Sequence, residues 1–165
     1  MKKAVWSGIV TAAAILVLGT PAFAQTVTEG ILVTANINSK AKLTLGTPTL
    51  VFADADPDDF PTIAAPAFTV AVKARTTAGA AVTLTVLSDD DLLSGSDAIA
   101  ISALTWAASG TGFSAGTSNK TTAQTVGAWS GSGNQAGTQT YSLANSWTYA
   151  TGIYTATLTY TLTVP

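Results

Sequence analysis

Aspartate is the residue type whose spacing in this sequence most resembles a ligand set. Asp54, Asp56 and Asp58 are separated by single residues, a spacing that allows three carboxylates to reach one calcium ion. The pattern departs from an EF-hand further along, where Asp59 stands in place of the glycine and Ala65 in place of the bidentate glutamate. The alternative is a solvated turn whose aspartates accept hydrogen bonds from their own backbone. Calcium is thus the one candidate cofactor, with these three aspartates as candidate metal ligands.

Tryptophan is the second residue type that suggests a binding role. Trp106, Trp129 and Trp147 fall in the second half of the chain, beside segments rich in glycine, serine and asparagine. Exposed indole rings combine an apolar face with a polar N–H, so these three are candidates for stacking on sugars of a glycan. The alternative is ordinary packing, because the core of a β-sandwich commonly contains a buried tryptophan.

The sequence lacks the residue types on which many catalytic sites depend. It contains no histidine and no cysteine, which excludes a Ser-His-Asp arrangement, a cysteine nucleophile, a disulfide and the usual zinc sites. Glu29 is the only glutamate, and it has no evident carboxylate partner across a cleft of the kind that glycoside hydrolysis requires. We therefore expect a protein that is not an enzyme.

The element that must position these residues is clearest between Ile153 and Val164. Five threonines alternate there with apolar residues, so that one face of a strand is apolar and the other is threonine. Threonine is β-branched and suits a pleated sheet. The same period of two recurs along the chain between turn signals. It predicts an all-β protein, an antiparallel immunoglobulin-like (Greek-key) β-sandwich of about seven to nine strands.

Several individual elements follow from this pattern. We expect a short strand over Leu50–Phe52, and a hairpin in which a strand ending near Arg75 pairs with a strand over Val82–Val86. The segment from Ala53 to Pro66 contains too many aspartates and prolines for a regular element. The segment from Ser130 to Gly137 is rich in glycine and serine, and it is also predicted to be a loop.

The first 24 residues have the organisation of a cleaved bacterial Sec signal peptide. Lys2 and Lys3 form the positive start, Ile9–Leu18 is the apolar core, and Ala22–Ala24 is the cleavage motif. The apolar core is shorter than the ~20 residues of a membrane span. We expect a single β-sandwich domain over residues 25–165 with no membrane span after cleavage. We expect its location to be the periplasm, the cell surface or the cell exterior.

The charge balance restricts the classes of partner. Lys2 and Lys3 precede the cleavage site, so residues 25–165 carry five basic and nine acidic residues, a net charge of −4. A protein with so few cations is a poor match for the phosphate backbone, and we expect no nucleic-acid partner.

The start of the mature chain has the pattern of a strand that could be donated to a neighbour. Val27, Ile31, Val33 and Ala35 share one parity, and polar residues occupy most of the other. An extended segment of this kind can complete the sheet of another subunit by β-augmentation, in which main-chain hydrogen bonds give affinity and alternate side chains fill pockets. The alternative is that it forms the first strand of its own domain, since most strand edges are paired internally.

Both ends of the mature chain resemble a known family. The segments Ile31–Ile37, Leu43–Leu45 and Leu50–Phe52, together with the closing Gly152–Tyr160, resemble spore coat protein U domains, which are secreted pilin-like subunits of chaperone–usher type. The closing strand also resembles that of WxL cell-surface domains. The resemblance implies an exported fimbrial or surface-assembly subunit whose partners are itself or related subunits, with a periplasmic chaperone. The alternative function is a secreted carbohydrate- or cell-wall-binding module with a glycan as partner.

Overall fold

The structure, a computed structural model, describes residues 25–165, so the predicted signal peptide lies outside the described residues. The chain divides into two units with a boundary between Ala35 and Asn36. The described part of the first unit, residues 25–35, contains no helix or strand. The prediction that Val27, Ile31, Val33 and Ala35 lie on a strand is therefore not met within this chain.

The second unit contains all the regular structure found in residues 25–165. Eleven strands and one short 3-10 helix, Ile101–Ala103, follow one another along the chain. The strands are β1 (Lys40–Leu45), β2 (Thr62–Ala64), β3 (Phe68–Arg75), β4 (Ala81–Ser88), β5 (Leu92–Ser94), β6 (Asp97–Ile99), β7 (Leu104–Ser109), β8 (Gly116–Thr117), β9 (Gln124–Ser130), β10 (Gly133–Ala144) and β11 (Leu158–Thr163).

The strands form two facing antiparallel sheets. The first sheet has the order β1-β3-β10-β7-β8, with β2 beside β10, and the second has the order β11-β4-β9. Strands β5 and β6 form a separate hairpin. The predicted all-β fold with an antiparallel sandwich is confirmed. Four of the eleven strands have only two or three residues, and the seven longer ones divide four against three, as in immunoglobulin-type sandwiches.

The core lies between the two sheets and is built by the period of two. Val70 and Val72 of the first sheet and Leu84 and Val86 of the second are at most 1% exposed. Alternate residues of each strand point to the same face, so every second apolar residue reaches the space between the sheets. On β11 and just before it the predicted parity is confirmed, because the threonines are exposed and the alternate residues are half-buried.

The predicted hairpin between β3 and β4 is wrong. β3 pairs with β1 and β10, whereas β4 pairs with β11 and β9. The turn through Gly79, which has a φ of +78°, carries the chain from one sheet to the other instead of between neighbouring strands. Both strands have a strongly apolar face, and those two faces are buried against each other when the strands lie in opposite sheets.

Three further local predictions are wrong. The segment from Ala53 to Pro66, predicted to hold no regular element, contains β2 (Thr62–Ala64), which pairs with β10. Leu50–Phe52 forms no strand, although Leu50 and Phe52 still pack against the core while Val51 is exposed. The glycine-rich segment predicted as a loop contains the first half of β10. A side chain at Gly137 would collide with the carbonyl oxygen of Ser109 and the ring of Phe113, so glycine there permits close packing of strands.

Within residues 25–165, no helix has both the length and the apolar character needed to cross a membrane.

Candidate functional site

The aspartate loop does not form the predicted calcium site. Asp54, Asp56 and Asp58 are all exposed. The Oδ1 atom of Asp56 accepts a hydrogen bond from the backbone N–H of Asp58 at 2.9 Å. No group of three or more histidine, cysteine or acidic side chains in the described part of the chain is arranged to hold a metal ion. The three predicted ligands are not brought together, and the alternative of a hydrogen-bonded turn describes this loop.

Two of the three predicted sugar-stacking tryptophans are used for packing. Trp106 is 2% exposed, its indole N–H donates to the carbonyl oxygen of Ser114 at 2.8 Å, and its ring lies 5.8 Å from that of Tyr141. Trp129 packs edge-on against Phe113 at 4.9 Å between ring centroids. Trp106 is therefore a core residue, Trp129 is half-buried against Phe113, and Trp147 is the most exposed of the three rings.

Trp147 lies beside the aspartate loop, a proximity that the sequence does not reveal. It is 68% exposed, and its indole N–H donates to Oδ1 of Asp58 at 3.1 Å. The side-chain amide of Asn145 holds the two ends of the loop by donating to the carbonyl oxygens of Ala55 (2.9 Å) and Phe60 (3.1 Å). We call the resulting surface the acidic tip. It consists of Asp54, Asp56, Asp58, Asp59, Phe60 and Trp147.

Four cations share the solvent face of the first sheet. The register of β1 and β3 places Lys40 directly opposite Arg75 and Lys42 directly opposite Lys73. All four side chains are exposed, and the next strand contributes Asn134 opposite Lys73. We call these four residues the basic face. Like charges directly opposite each other destabilise a sheet. Repulsion between these four cations therefore lowers the stability of the first sheet.

The basic face is not neutralised by neighbouring carboxylates. In the described residues both ion pairs belong to Lys120, which lies 2.8 Å from Asp90 and 2.8 Å from Asp91. Arg75 donates its Nε–H to the carbonyl oxygen of Asn38 at 2.8 Å. Sequence analysis overlooked this surface. The signal that could have found it is a pair of basic residues two apart on each of two strands, since two-residue spacing puts them on one face.

A buried polar group joins the two sheets. The hydroxyl of Tyr160 donates to Oε1 of Gln139 at 2.7 Å and lies 2.7 Å from the hydroxyl of Tyr141. Gln139 is fully buried and its Nε2 has no partner among the described residues. Burial raises the pKa of Tyr141 to about 12 and raises the pKa of Tyr160 as well, with the neighbouring Tyr141 adding to the effect. Neutral hydroxyls in this position stabilise the sandwich and do not suit acid–base chemistry near pH 7.

A second aspartate cluster is likewise structural. Asp89 accepts a hydrogen bond from the backbone N–H of Thr157 at 2.7 Å, and this bond is the main cause of the lowered pKa of Asp89. Hydrogen bonds from Lys120 lower the pKa values of Asp90 and Asp91. Asp89 thus fixes the end of β4 against the segment that leads into β11, whereas Asp90 and Asp91 hold Lys120, which precedes β9.

The strand edges of the sandwich differ in how well they are protected. β11 pairs with β4 alone, has six residues and contains no charge. Leu158, Tyr160 and Leu162 on its inner face are only half-buried, whereas Leu84 opposite Leu162 is fully buried. The inner face of β11 is therefore incompletely covered.

Large apolar side chains are exposed before β1. In the first unit Val27 is 75% exposed, Ile31 91%, Leu32 92% and Val33 84%. A folded monomer rarely leaves so many large apolar residues in water within so short a stretch. Ile31, Leu32 and Val33 together form the most exposed run of large apolar side chains in residues 25–165.

The sequence matches no known family model, and no curated protein matches it.

Proposed function

We propose that the chain is an exported structural or adhesive protein, a pilin-like surface-assembly subunit that associates by β-strand complementation. The donated strand is residues 27–35, and its apolar residues Val27, Ile31, Val33 and Ala35 face the acceptor. The observation that carries the proposal is the exposure of this apolar segment without any strand pairing in residues 25–39.

The energetics of exposure support strand addition. Burying a large aliphatic side chain contributes roughly 1.5–3 kcal/mol, and the donor has three such residues on one parity, Val27, Ile31 and Val33. The main chain of the segment also gains partners, because a strand edge offers a row of N–H and C=O groups. Together these terms favour an extended conformation on a sheet over an exposed chain in water.

β11 is the acceptor edge that the structure supports best. It is regular and uncharged, and an added strand would cover the half-buried Leu158, Tyr160 and Leu162. Because the threonine face of β11 is exposed, the threonines of the donor would lie beside it on the same solvent side.

The other edges of the sandwich are less suitable. β1 carries Lys40 and Lys42, and lysine on an edge strand disfavours added strands. β8 has two residues. The edge of β9 is covered by a neighbouring loop, since Ser114 donates to the carbonyl oxygen of Val126 and Ala128 donates to that of Gly112, both at 2.9 Å.

The same exposure suggests a need for protection before assembly. An apolar segment and an open edge strand both promote aggregation when they meet the wrong partner. A periplasmic chaperone that occupies the edge of β11 would prevent this, and it is the partner we propose besides further copies of the subunit.

Parity-matched variants test the proposal. In protein beginning at Gln25, we expect Ile31→Asp with Val33→Asp to shift the sedimentation profile from assemblies to monomers. Thr28→Asp with Thr34→Asp changes the net charge equally on the opposite parity, and assemblies should persist. Wild-type protein that sediments only as a monomer, or equal effects of the two pairs, would show that residues 27–35 are not a donated strand.

A glycan-binding role is the second candidate, and one observation favours it. Trp147 is 68% exposed and Phe60, on the same acidic tip, is 57% exposed, and such rings can stack on a sugar. A glycan and peptidoglycan panel that quenches tryptophan fluorescence in the wild type but not in Trp147→Ala would support this role. No response from any member of the panel would eliminate it.

A further inference from the structure

We propose that the basic face of one copy of this protein binds the acidic tip of a second copy. The contact uses residues other than the donated strand and goes beyond the strand addition described above. It would give each copy a defined orientation relative to the next.

The two surfaces lie at opposite ends of one strand. At the start of β10, Asn134 pairs with Lys73 of the basic face. Directly after the end of β10, Asn145 holds the loop of the acidic tip through Ala55 and Phe60. Twelve residues at ~3.3 Å per residue make β10 roughly 40 Å long. The basic face and the acidic tip are therefore too far apart to neutralise each other within one copy.

The charges of the two surfaces are equal in number and opposite in sign. The basic face has four cations, and the acidic tip has four carboxylates, from Asp54, Asp56, Asp58 and Asp59. Lys120, the remaining cation of residues 25–165, is already bound to Asp90 and Asp91. The free positive charge of the domain is thus concentrated on one face, and it is complementary to a surface that every other copy carries.

The cations of the basic face are closely spaced. Side chains opposite each other on paired strands lie about 5 Å apart, and those two residues apart on one strand lie about 7 Å apart. The four cations therefore form a compact rectangle.

The aromatic residues of the tip strengthen the case for a cationic partner. A lysine or arginine over the face of an exposed indole is attracted by the ring quadrupole, most strongly for tryptophan. The hydrogen bond from its indole N–H to Asp58 holds Trp147 within the acidic tip, so its exposed ring face belongs to the same surface as the carboxylates. An exposed tryptophan fixed within a group of carboxylates suits a lysine- or arginine-bearing surface better than an anionic one.

A second copy fits the basic face better than an anionic polymer does. Residues 25–165 have a net charge of −4, which opposes long-range attraction of a polyanion. A second copy places only its tip against the cations and keeps its remaining aspartates elsewhere. Because the two contacting surfaces differ, the interface is heterologous and repeats from copy to copy, in a closed ring or in an open array.

Zero-length cross-linking of lysine amines to carboxylates tests this contact directly. Protein beginning at Gln25 is prepared with natural nitrogen and with ¹⁵N, mixed, and treated with a carbodiimide, so that mass spectrometry separates links within a copy from links between copies. We expect mixed-label links between Lys40, Lys42 or Lys73 and the aspartates of the acidic tip. The internal pair Lys120–Asp90, 2.8 Å apart, is the positive control for the chemistry.

Salt gives the second readout. The Debye length falls from about 30 Å at about 0.01 M salt to about 3 Å at about 1 M, so we expect the mixed-label yield to fall by about tenfold or more. Strand addition buries apolar residues and should persist in high salt. A failure of this contact and a failure of strand addition are therefore distinguishable.

A charge swap completes the test. Lys42→Glu with Lys73→Glu should abolish the mixed-label links, and so should Asp54→Lys with Asp59→Lys, each variant alone. Mixing the two variants should restore association, because each then offers the other an oppositely charged surface. Links confined to Lys120, or no recovery on mixing, would overturn the proposal. In that case retention of the wild type on immobilised polyphosphate, lost in Lys42→Glu, would assign the basic face to a polyanion.

Discussion

The hydroxyl of Tyr141 on β10 lies 2.7 Å from the hydroxyl of Tyr160 on β11, and this hydrogen bond joins the two sheets through the core. Tyr160 donates its own proton to Oε1 of Gln139, so Tyr141 must be the donor to Tyr160. The three side chains form one directed chain of hydrogen bonds. It fixes β11, the strand that we propose as the acceptor edge, to the opposite sheet.

Removing the middle hydroxyl should destabilise the sandwich. Tyr160→Phe leaves the O–H of Tyr141 without its acceptor and Gln139 without its donor, in a place where Gln139 is fully buried. We expect a loss of about 1–3 kcal/mol, the typical cost of a buried polar group without a partner. Urea denaturation measures this difference in the free energy of unfolding, provided that the slope of that free energy against urea concentration is the same in the variant and the wild type.

A variant without any of the three polar groups is the control. Gln139→Leu with Tyr141→Phe and Tyr160→Phe removes donors and acceptors together, so it should be less destabilised than the sum of the single changes. Strict additivity would mean that the three groups do not act as a chain.

Alkaline pH should weaken the fold through the same tyrosines. The pKa of Tyr141 is raised to about 12 and that of Tyr160 is also raised, chiefly by burial. The folded state therefore holds these protons more tightly than the unfolded chain, whose tyrosines titrate near pH 10. The contribution of these two tyrosines to stability should be constant below about pH 10 and should fall as the pH rises towards 12.

The measurement is the urea midpoint between pH 8 and pH 12 for the wild type and for Tyr141→Phe with Tyr160→Phe. The double variant should have a shallower alkaline decline. Parallel curves for the two proteins would mean that other groups cause the loss.

Acid should release the contacts of Asp90 and Asp91 with Lys120. Hydrogen bonds from Lys120 lower the pKa values of Asp90 and Asp91. The contribution of these two carboxylates to stability is therefore present above the unfolded pKa of about 3.9 and is lost as the pH falls through their lower folded pKa values. The carboxylates are exposed, so the effect should be small. Lys120→Met should flatten the acid limb of the melting temperature below about pH 4, and an unchanged limb would contradict this origin.

Glycine at position 137 should be required by packing. A methyl group there would meet the carbonyl oxygen of Ser109 and the ring of Phe113, so we expect Gly137→Ala to cost about 1–3 kcal/mol. Gly133→Ala on the same strand is the matched control, because its methyl group would meet only the flexible end of Gln135, at 3.2 Å. Equal melting temperatures for the two variants would show that Gly137 is not tightly packed.

The fold class could be predicted because it depends on a local pattern. Alternation of apolar and polar residues survives in β3, β4 and β11 whatever their neighbours are. Strand pairing could not be predicted in the same way. The short turn through Gly79 is compatible both with a hairpin and with a passage between sheets, and only burial of both apolar faces decides between them.

The candidate site was less predictable because it depends on distant contacts. The aspartate loop and Trp147 are separated by 89 residues at their point of contact, so the sequence shows two separate features where the structure has one. The basic face depends on the register of β1 against β3, which no local pattern determines. The apolar residues before β1 are evident in the sequence, but their exposure and their lack of strand pairing are not.

A disulfide between copies is the most direct test of strand addition to β11. The chain has no cysteine, so Thr34→Cys in one preparation can react only with a single cysteine placed in another, at Thr159, Thr161 or Thr163 of β11 or, as a control, at Ser130 of β9. Donor and acceptor threonines would lie on the same solvent face, and a disulfide needs Cα atoms within about 7 Å. We expect the cysteine at position 34 to form a mixed disulfide rapidly with at least one β11 position and not with position 130. Equal rates at β11 and position 130 would contradict strand addition to β11.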